Sequence, residues 1–213
     1  FDDEVAAFIV EGIQGVAGLY EPNSAFLEKA QALCEKHEAL LILDEVQSGA
    51  GRTGKFFAHQ HHSIRPDIIT VAKGIGNGFP VAAVLISAKI ESWHGMLGTT
   101  FGGNHLACAA ALAVLEVLEN EQLMKNAKNL GAFMTTELNA IEHVKEVRGR
   151  GLMIGAEFNF PVAELRKKLL FDQKIFTGSA ANKNTLRLLP SLGVTQNELE
   201  QFLKALKLEL NNT

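Results

Sequence analysis

Cysteine is scarce, with Cys34 and Cys108 the only two in 213 residues. Each sits inside a helix-like apolar pattern, so both are expected as reduced core thiols and a disulfide framework is excluded. Clustered positive charge is missing too. The net charge is −4, and no run of lysine and arginine is dense enough to hold nucleic acid. No stretch is apolar over the roughly 18–20 residues that a membrane helix needs, and no secretory signal pattern is visible. Internal repeats and low-complexity segments are also lacking. What remains is ordinary globular sequence, 47% hydrophobic and 21% charged, sufficient for one large domain or two small ones. A cytoplasmic location is expected.

Two short apolar runs end in charged residues. Ala39–Leu43 runs into Asp44 and Glu45, and Ile68–Ala72 runs into Lys73. Runs of that length suit strands buried on both faces of a parallel sheet. Two such strands deliver a carboxylate and an amine to the carboxyl edge of the sheet, where open α/β sheets bind ligands. That pairing fits pyridoxal phosphate, with the lysine as Schiff-base partner and the aspartate keeping the pyridinium nitrogen protonated. The lysine must be neutral to attack an aldehyde, and burial favours the neutral form. Gly74 after it is expected to leave room for a ligand.

Around these runs the pattern predicts strands at Ala6–Val10, Ala39–Leu43, Ile68–Ala72 and Val81–Ser87. A helix from Ala25 to about His37, capped by Asn23 or Ser24, makes the first two strands a parallel βαβ unit. The connection before Val81 is too short for a crossover helix, so the last strand is expected to pair antiparallel. Helices follow from His105 to about Asn120 and from about Glu121 to Ile141. The first carries an apolar stripe of Ala107, Ala110, Ala111, Val114, Leu115 and Leu118. Past Val144 the pattern changes to strands at Lys145–Gly149, Leu152–Phe158 and Thr185–Leu189, with helices at Val162–Phe171 and Thr195–Leu210. The last helix opens on a capping box, Thr195 with Glu198. The expected fold class is therefore α/β over residues 1–143 followed by a small α+β domain over 144–213.

Three segments, LLILDEVQSGAGRTGKFFA, PDIITVAKGIGNGFPVAAVL and GTTFGGNHLACAAALAVLE, resemble the large-domain core of the class III (ω-amino) aminotransferases. The likeness extends from VEGIQG to LRLLPSLGVT and is nearest to the branch acting on acetylornithine, then to those acting on ornithine and 4-aminobutyrate. It implies pyridoxal-phosphate fold type I, a homodimer, and transfer of the δ-amino group of an N-acylornithine to 2-oxoglutarate, yielding glutamate, in arginine biosynthesis. Lys73 and Asp44 are then catalytic, and the cofactor contacts extend through Glu45, Val46 and Gln47. Of these, Gln47 meets the phenolic oxygen, Val46 a ring face, and Glu45 is better suited to a structural ion pair. Thr100 is implied to reach the cofactor phosphate across the dimer interface, Thr99 to lie against substrate, and Arg187 to grip a substrate carboxylate bidentately. Glu11 is expected as a buried hydrogen-bonding support, with Gln14 and Gly15 as loop scaffold near the cofactor. A family member is about twice this length, so a preceding part is expected to supply a phosphate cradle and a stacking aromatic. The chain alone is expected to be inactive.

Two departures from the family pattern stand out. Pro190–Ser191 replaces two prolines, and Val16 stands where a glutamate usually masks the arginine that matches Arg187. Three patterns are decoys. Gly49-x-x-x-x-Gly54-Lys55 lacks the Ser/Thr of a phosphate-binding loop, having Phe56 instead. Gly74-x-Gly76-x-Gly78 has the wrong spacing for a dinucleotide fingerprint. His59, His61 and His62 have no supporting ligand pair, so no metal is expected and they are read as loop surface.

Overall fold

A four-stranded sheet organises the first of two compact units in the computed structural model, which describes residues 1–211. This unit comprises Phe1–Gly12, Pro22–Ala50 and Phe56–Gln122. Strands β1 (Ala7–Glu11), β2 (Leu40–Asp44), β3 (Ile68–Val71) and β4 (Ala83–Ile86) lie in that order. The first three are parallel, and β4 is antiparallel to β3 as the short connection requires. Helix α1 (Ser24–Lys36) links β1 to β2, and it starts where it does because Asn23 Oδ1 accepts the Phe26 amide at 2.8 Å. Its Leu27 and Cys34 pack on Leu41 and Leu43, the core of this unit.

The other face of that sheet is only partly covered among the described residues. Leu40 and Ile42 are half-buried and Ile9 is 59% exposed, so β2 is buried on one face rather than on both. Helix α2 (His105–Asn120) behaves similarly. Ala107 and Leu118 are buried, Ala110, Ala111 and Val114 half-buried, but Leu115 is exposed along with Leu106, Leu112 and Val117. Cys108 belongs to that open side, so it is an exposed thiol and not a core one; Cys34 is buried as expected.

The second unit comprises Ile13–Glu21, Gly51–Lys55 and the chain from Leu123 onward. It contains α3 (Leu123–Asn139), β5 (Val144–Arg150), β6 (Met153–Phe158), α4 (Ala163–Phe171), β7 (Gly178–Ser179), β8 (Thr185–Leu188) and α5 (Gln196–Asn211). The sheet is antiparallel in the order β5-β6-β8-β7. The division thus falls at Gln122–Leu123 instead of at Val144. The reason is packing: Leu130, Met134 and Leu138 of α3 share one core with β6, β8, α4 and α5.

Strand β6 is buried at all six positions, which explains why its sequence shows no alternation. Ile154, Ala156 and Phe158 face the helices. Met153 joins Ile13 and Leu19 of the Ile13–Glu21 loop, which closes the opposite face. That loop is tied down by Arg148, whose Nε donates to Gly18 O at 3.1 Å while its guanidinium lies 4.2 Å from the centre of the Tyr20 ring. The capping box of α5 is present, with Thr195 N to Glu198 Oε2 at 2.7 Å and the reciprocal contact at 3.3 Å.

Gly131 gives a stability prediction. A Cβ there would sit 2.1 Å from Gly151 O, and Gly151 cannot retreat because it adopts φ +54° with Thr53 backbone carbon 2.6 Å from its own Cβ position. Alanine usually favours a helix by about 1 kcal/mol over glycine. Overpacking costs about 1–3 kcal/mol or more, and here it wins. Gly131→Ala is expected to lower the thermal midpoint by several degrees, read by calorimetry; an unchanged or raised midpoint would contradict the close approach.

Candidate active site

Strand pairing brings the two charged strand ends together. Strands β2 and β3 are parallel neighbours with Asp44 in register with Thr70, so the chain leaves both at the same edge of the sheet. Asp44 is half-buried. Its Oδ1 accepts the Val46 amide at 3.0 Å and the Thr70 hydroxyl at 3.2 Å, whereas no described residue donates to Oδ2. A carboxylate oriented through one oxygen keeps the other for a cationic partner.

Gln47 follows in the same turn with Oε1 buried and unpartnered. An orphaned buried amide oxygen is costly, so its presence beside a held carboxylate is informative. Val46 is half-buried between them. Glu45 is different: its carboxylate is fully buried and occupied by neighbours within this unit, His59 among them. His59 is therefore a partly buried hydrogen-bonding residue and not loop surface. His62 Nδ1 lies 2.9 Å from Ser24 Oγ, and no cluster suited to a metal occurs among the described residues.

Lys73 opens a 3-10 turn, Lys73–Gly76, directly after β3, with left-handed backbone at φ +48°. It is exposed among the described residues, so the burial anticipated for it is not supplied by this unit. With Asn77, Gly78 and Phe79 it lines an open depression of about 470 Å³. The space beside Gly74 is taken by Ala50, whose Cβ lies 3.3 Å from where a Gly74 Cβ would be. Gly74 also lines that depression, so it allows the close approach of Ala50 on one side and is open on the other. Thr99 and Thr100 are exposed in the turn before α2, and neither hydroxyl makes a hydrogen bond among the described residues.

Phosphate-loop and dinucleotide readings fail on local structure. Gly49–Lys55 leads only to a four-residue 3-10 turn, Ala58–His61, and Gly74–Gly78 leads to a strand. Neither offers the helix N-terminus that such loops require. Arg52 in the first of these loops is committed structurally, donating to Leu152 O and Pro190 O. Burial pushes its guanidinium down to about 10, and it stays charged at neutral pH.

In the second unit Arg187 extends from β8. Its Nη1 donates to Gly15 O at 3.0 Å, and its Nε is buried without a partner. No carboxylate lies within ion-pair distance of it among the described residues. Val16, next to Gly15, is 65% exposed, and its carbonyl accepts the Ala181 amide at 2.8 Å. A guanidinium with an unused buried donor has the chemistry to take an anion.

The family model for class-III aminotransferases matches residues 1–210. The chain belongs to that family. It is 42% identical over 211 residues to the acetylornithine aminotransferase of Bacillus subtilis (strain 168), covering 97% of this chain and 54% of that protein. Identity to the Methanocaldococcus jannaschii enzyme of the same name is 42% over 212 residues, covering 96% and 52%. Among solved structures, the ornithine aminotransferase from Toxoplasma gondii ME49 superposes with a TM-score of 0.90 at 33% identity, covering all of this chain and 53% of that one. The acetylornithine aminotransferase from Elizabethkingia anophelis gives 0.84 at 34%, covering 98% and 57%. The chain thus spans about half the length of the relatives it matches. Its fold is that of the pyridoxal-phosphate-dependent fold type I proteins.

Proposed function

We propose that the chain carries the cofactor-handling residues of an aminotransferase that moves the terminal amino group of an N-acylornithine to 2-oxoglutarate. The observation that supports this most is the exit of Asp44 and Lys73 from adjacent parallel strands at one sheet edge. The residues there fit pyridoxal phosphate: Asp44 Oδ2 is spare for a cationic ring nitrogen, Gln47 follows in the same turn, and the Lys73 amine is open. When bound, that cofactor supplies an electron sink for the carbanion chemistry of transamination. Lys73 would hold it covalently and then move the proton between substrate and cofactor carbons. Asp44 would keep the ring nitrogen protonated by direct charge pairing. Val46 would pack on the ring and Gln47 on its phenolic oxygen. Thr100 would serve the phosphate of the other subunit in a homodimer, and Thr99 would lie against substrate.

Arg187 would bind a substrate carboxylate, and Val16 bears on which donor is used. With no acidic side chain there to mask the guanidinium, a donor whose acyl group carries a carboxylate gains a charge-assisted contact. Such a contact corresponds to about tenfold to over a hundredfold in kcat/KM. The expected result is that N-succinylornithine is preferred over N-acetylornithine by that margin, and that Val16→Glu erases the preference. Steady-state kinetics of the full-length protein with both donors, ornithine and 4-aminobutyrate checks it. Equal use of the two acyl donors, unchanged by Val16→Glu, would refute the role given to Val16. Turnover of none of the four donors by the full-length protein would refute the proposed reaction.

A further inference from the structure

Glu45 adjoins Asp44, yet its carboxylate has no capacity left for a ligand. The side chain is fully buried, and a buried carboxylate is tolerated only when its oxygens are hydrogen-bonded. Here Oε2 accepts Ser48 Oγ at 2.6 Å and the Ala58 amide at 2.9 Å. Oε1 accepts the His59 amide at 2.8 Å and His59 Nδ1 at 3.1 Å, which calls for the tautomer protonated at Nδ1. Four donors fill the acceptor sites of one carboxylate. Desolvation works to raise this carboxyl, but the hydrogen bonds from the His59 ring, Ser48 and the two amides outweigh it and hold it below its ordinary value.

These contacts join two stretches of chain. One is the turn Glu45–Gly49, closed by Gly49 N to Glu45 O at 2.9 Å. The other is the segment from Phe57 to His59, where the His59 ring stacks on Phe57 at 5.4 Å. Asp44 is itself tied to the Val46 amide. Val46 and Gln47 are thus bracketed by two anchored residues, Glu45 and Ser48, that have no ligand role.

We propose that Glu45 and His59 form a latch of positioning residues that sets Asp44 and Gln47 for the cofactor ring. This rests on the cofactor reading above. The test compares Glu45→Gln, His59→Asn and His59→Leu with the unsubstituted protein. Glutamine places an NH₂ among four donors and must leave at least one unpaired. Asparagine can return an N–H near the position of Nδ1, and leucine cannot.

Two readouts are taken: equilibrium affinity for pyridoxal phosphate by dialysis, and hydrogen exchange at the amides of Ala58 and His59. Glu45→Gln and His59→Leu are expected to weaken affinity about tenfold and to speed exchange at both amides. His59→Asn is expected to stay within about twofold on both measures. Unaltered affinity and exchange in Glu45→Gln would overturn the latch. So would a His59→Asn variant as impaired as His59→Leu, since the ring and not its N–H would then matter. Failure of the unsubstituted full-length protein to bind pyridoxal phosphate would instead overturn the cofactor reading, while the exchange data would still judge the latch.

Discussion

Lys73→Ala is expected to lower kcat by about four orders of magnitude and to abolish covalent capture of pyridoxal phosphate. The effect is large because, in the proposed reaction, one amine serves twice, as the covalent partner and as the proton carrier. Lys73→Arg separates that role from simple charge. A guanidinium keeps the positive charge at the strand exit but is neither nucleophilic nor able to lose its proton near neutral pH. Both variants should be equally inactive, with little change in thermal midpoint, because the side chain is exposed. Single-turnover kinetics and the absorbance of the loaded protein check this. Arginine at 73 with activity within tenfold of the parent would reduce Lys73 to a surface charge.

The second large effect is expected at Asp44. A carboxylate beside a cationic ring nitrogen raises that nitrogen's pKa by about 1–3 units, so its loss costs about tenfold to a thousandfold in kcat/KM. Asp44→Ala removes that pairing outright. Thr70→Val removes only the 3.2 Å hydrogen bond to Oδ1 and leaves the charge. A loss of severalfold is expected there. The sign with pH follows from the same pairing. In Asp44→Ala the ring nitrogen loses its proton at lower pH than in the parent, so the variant's deficit should narrow as the medium is made more acidic. Rate profiles from about pH 5.5 to 9 would show it. A deficit constant across that range, or none at all, would remove Asp44 from the role.

Local patterns in the sequence were enough to place most of the elements. Asn23 and the Thr195–Glu198 pair marked two helix starts because capping is written in the side chains that do it. The antiparallel β4 followed from a connection too short to cross over. The grouping of α3 with the later chain, ahead of the pattern change near Val144, has a non-local cause. Helix α3 reads from the sequence as a second helix after α2, and its packing against β5, β6 and α5 groups it with the second unit. Strand β7, two residues long, has no periodicity to detect. Burial was the least legible property: Lys73, Cys108 and the outer face of β2 are more open than their apolar surroundings suggested.

The shared exit of two strands was legible where charge follows an apolar run, at Asp44 and Lys73. His59 was missed because its partner lies fourteen residues away and the surrounding segment has no regular structure. The available signal was a glutamate directly after an apolar strand, since such a group, once buried, needs donors from somewhere. Glycines invited functional readings that packing explains better. Gly74 accommodates Ala50, and a Gly49 Cβ would meet Glu45 O at 2.7 Å.

The central claim is that pyridoxal phosphate is held through Lys73 at the edge shared by β2 and β3. Borohydride reduction of the loaded protein, followed by proteolysis and peptide mass mapping, tests it directly. The account predicts a single phosphopyridoxyl label on Lys73. A label on another lysine, or none under conditions where the loaded protein turns over substrate, would contradict it.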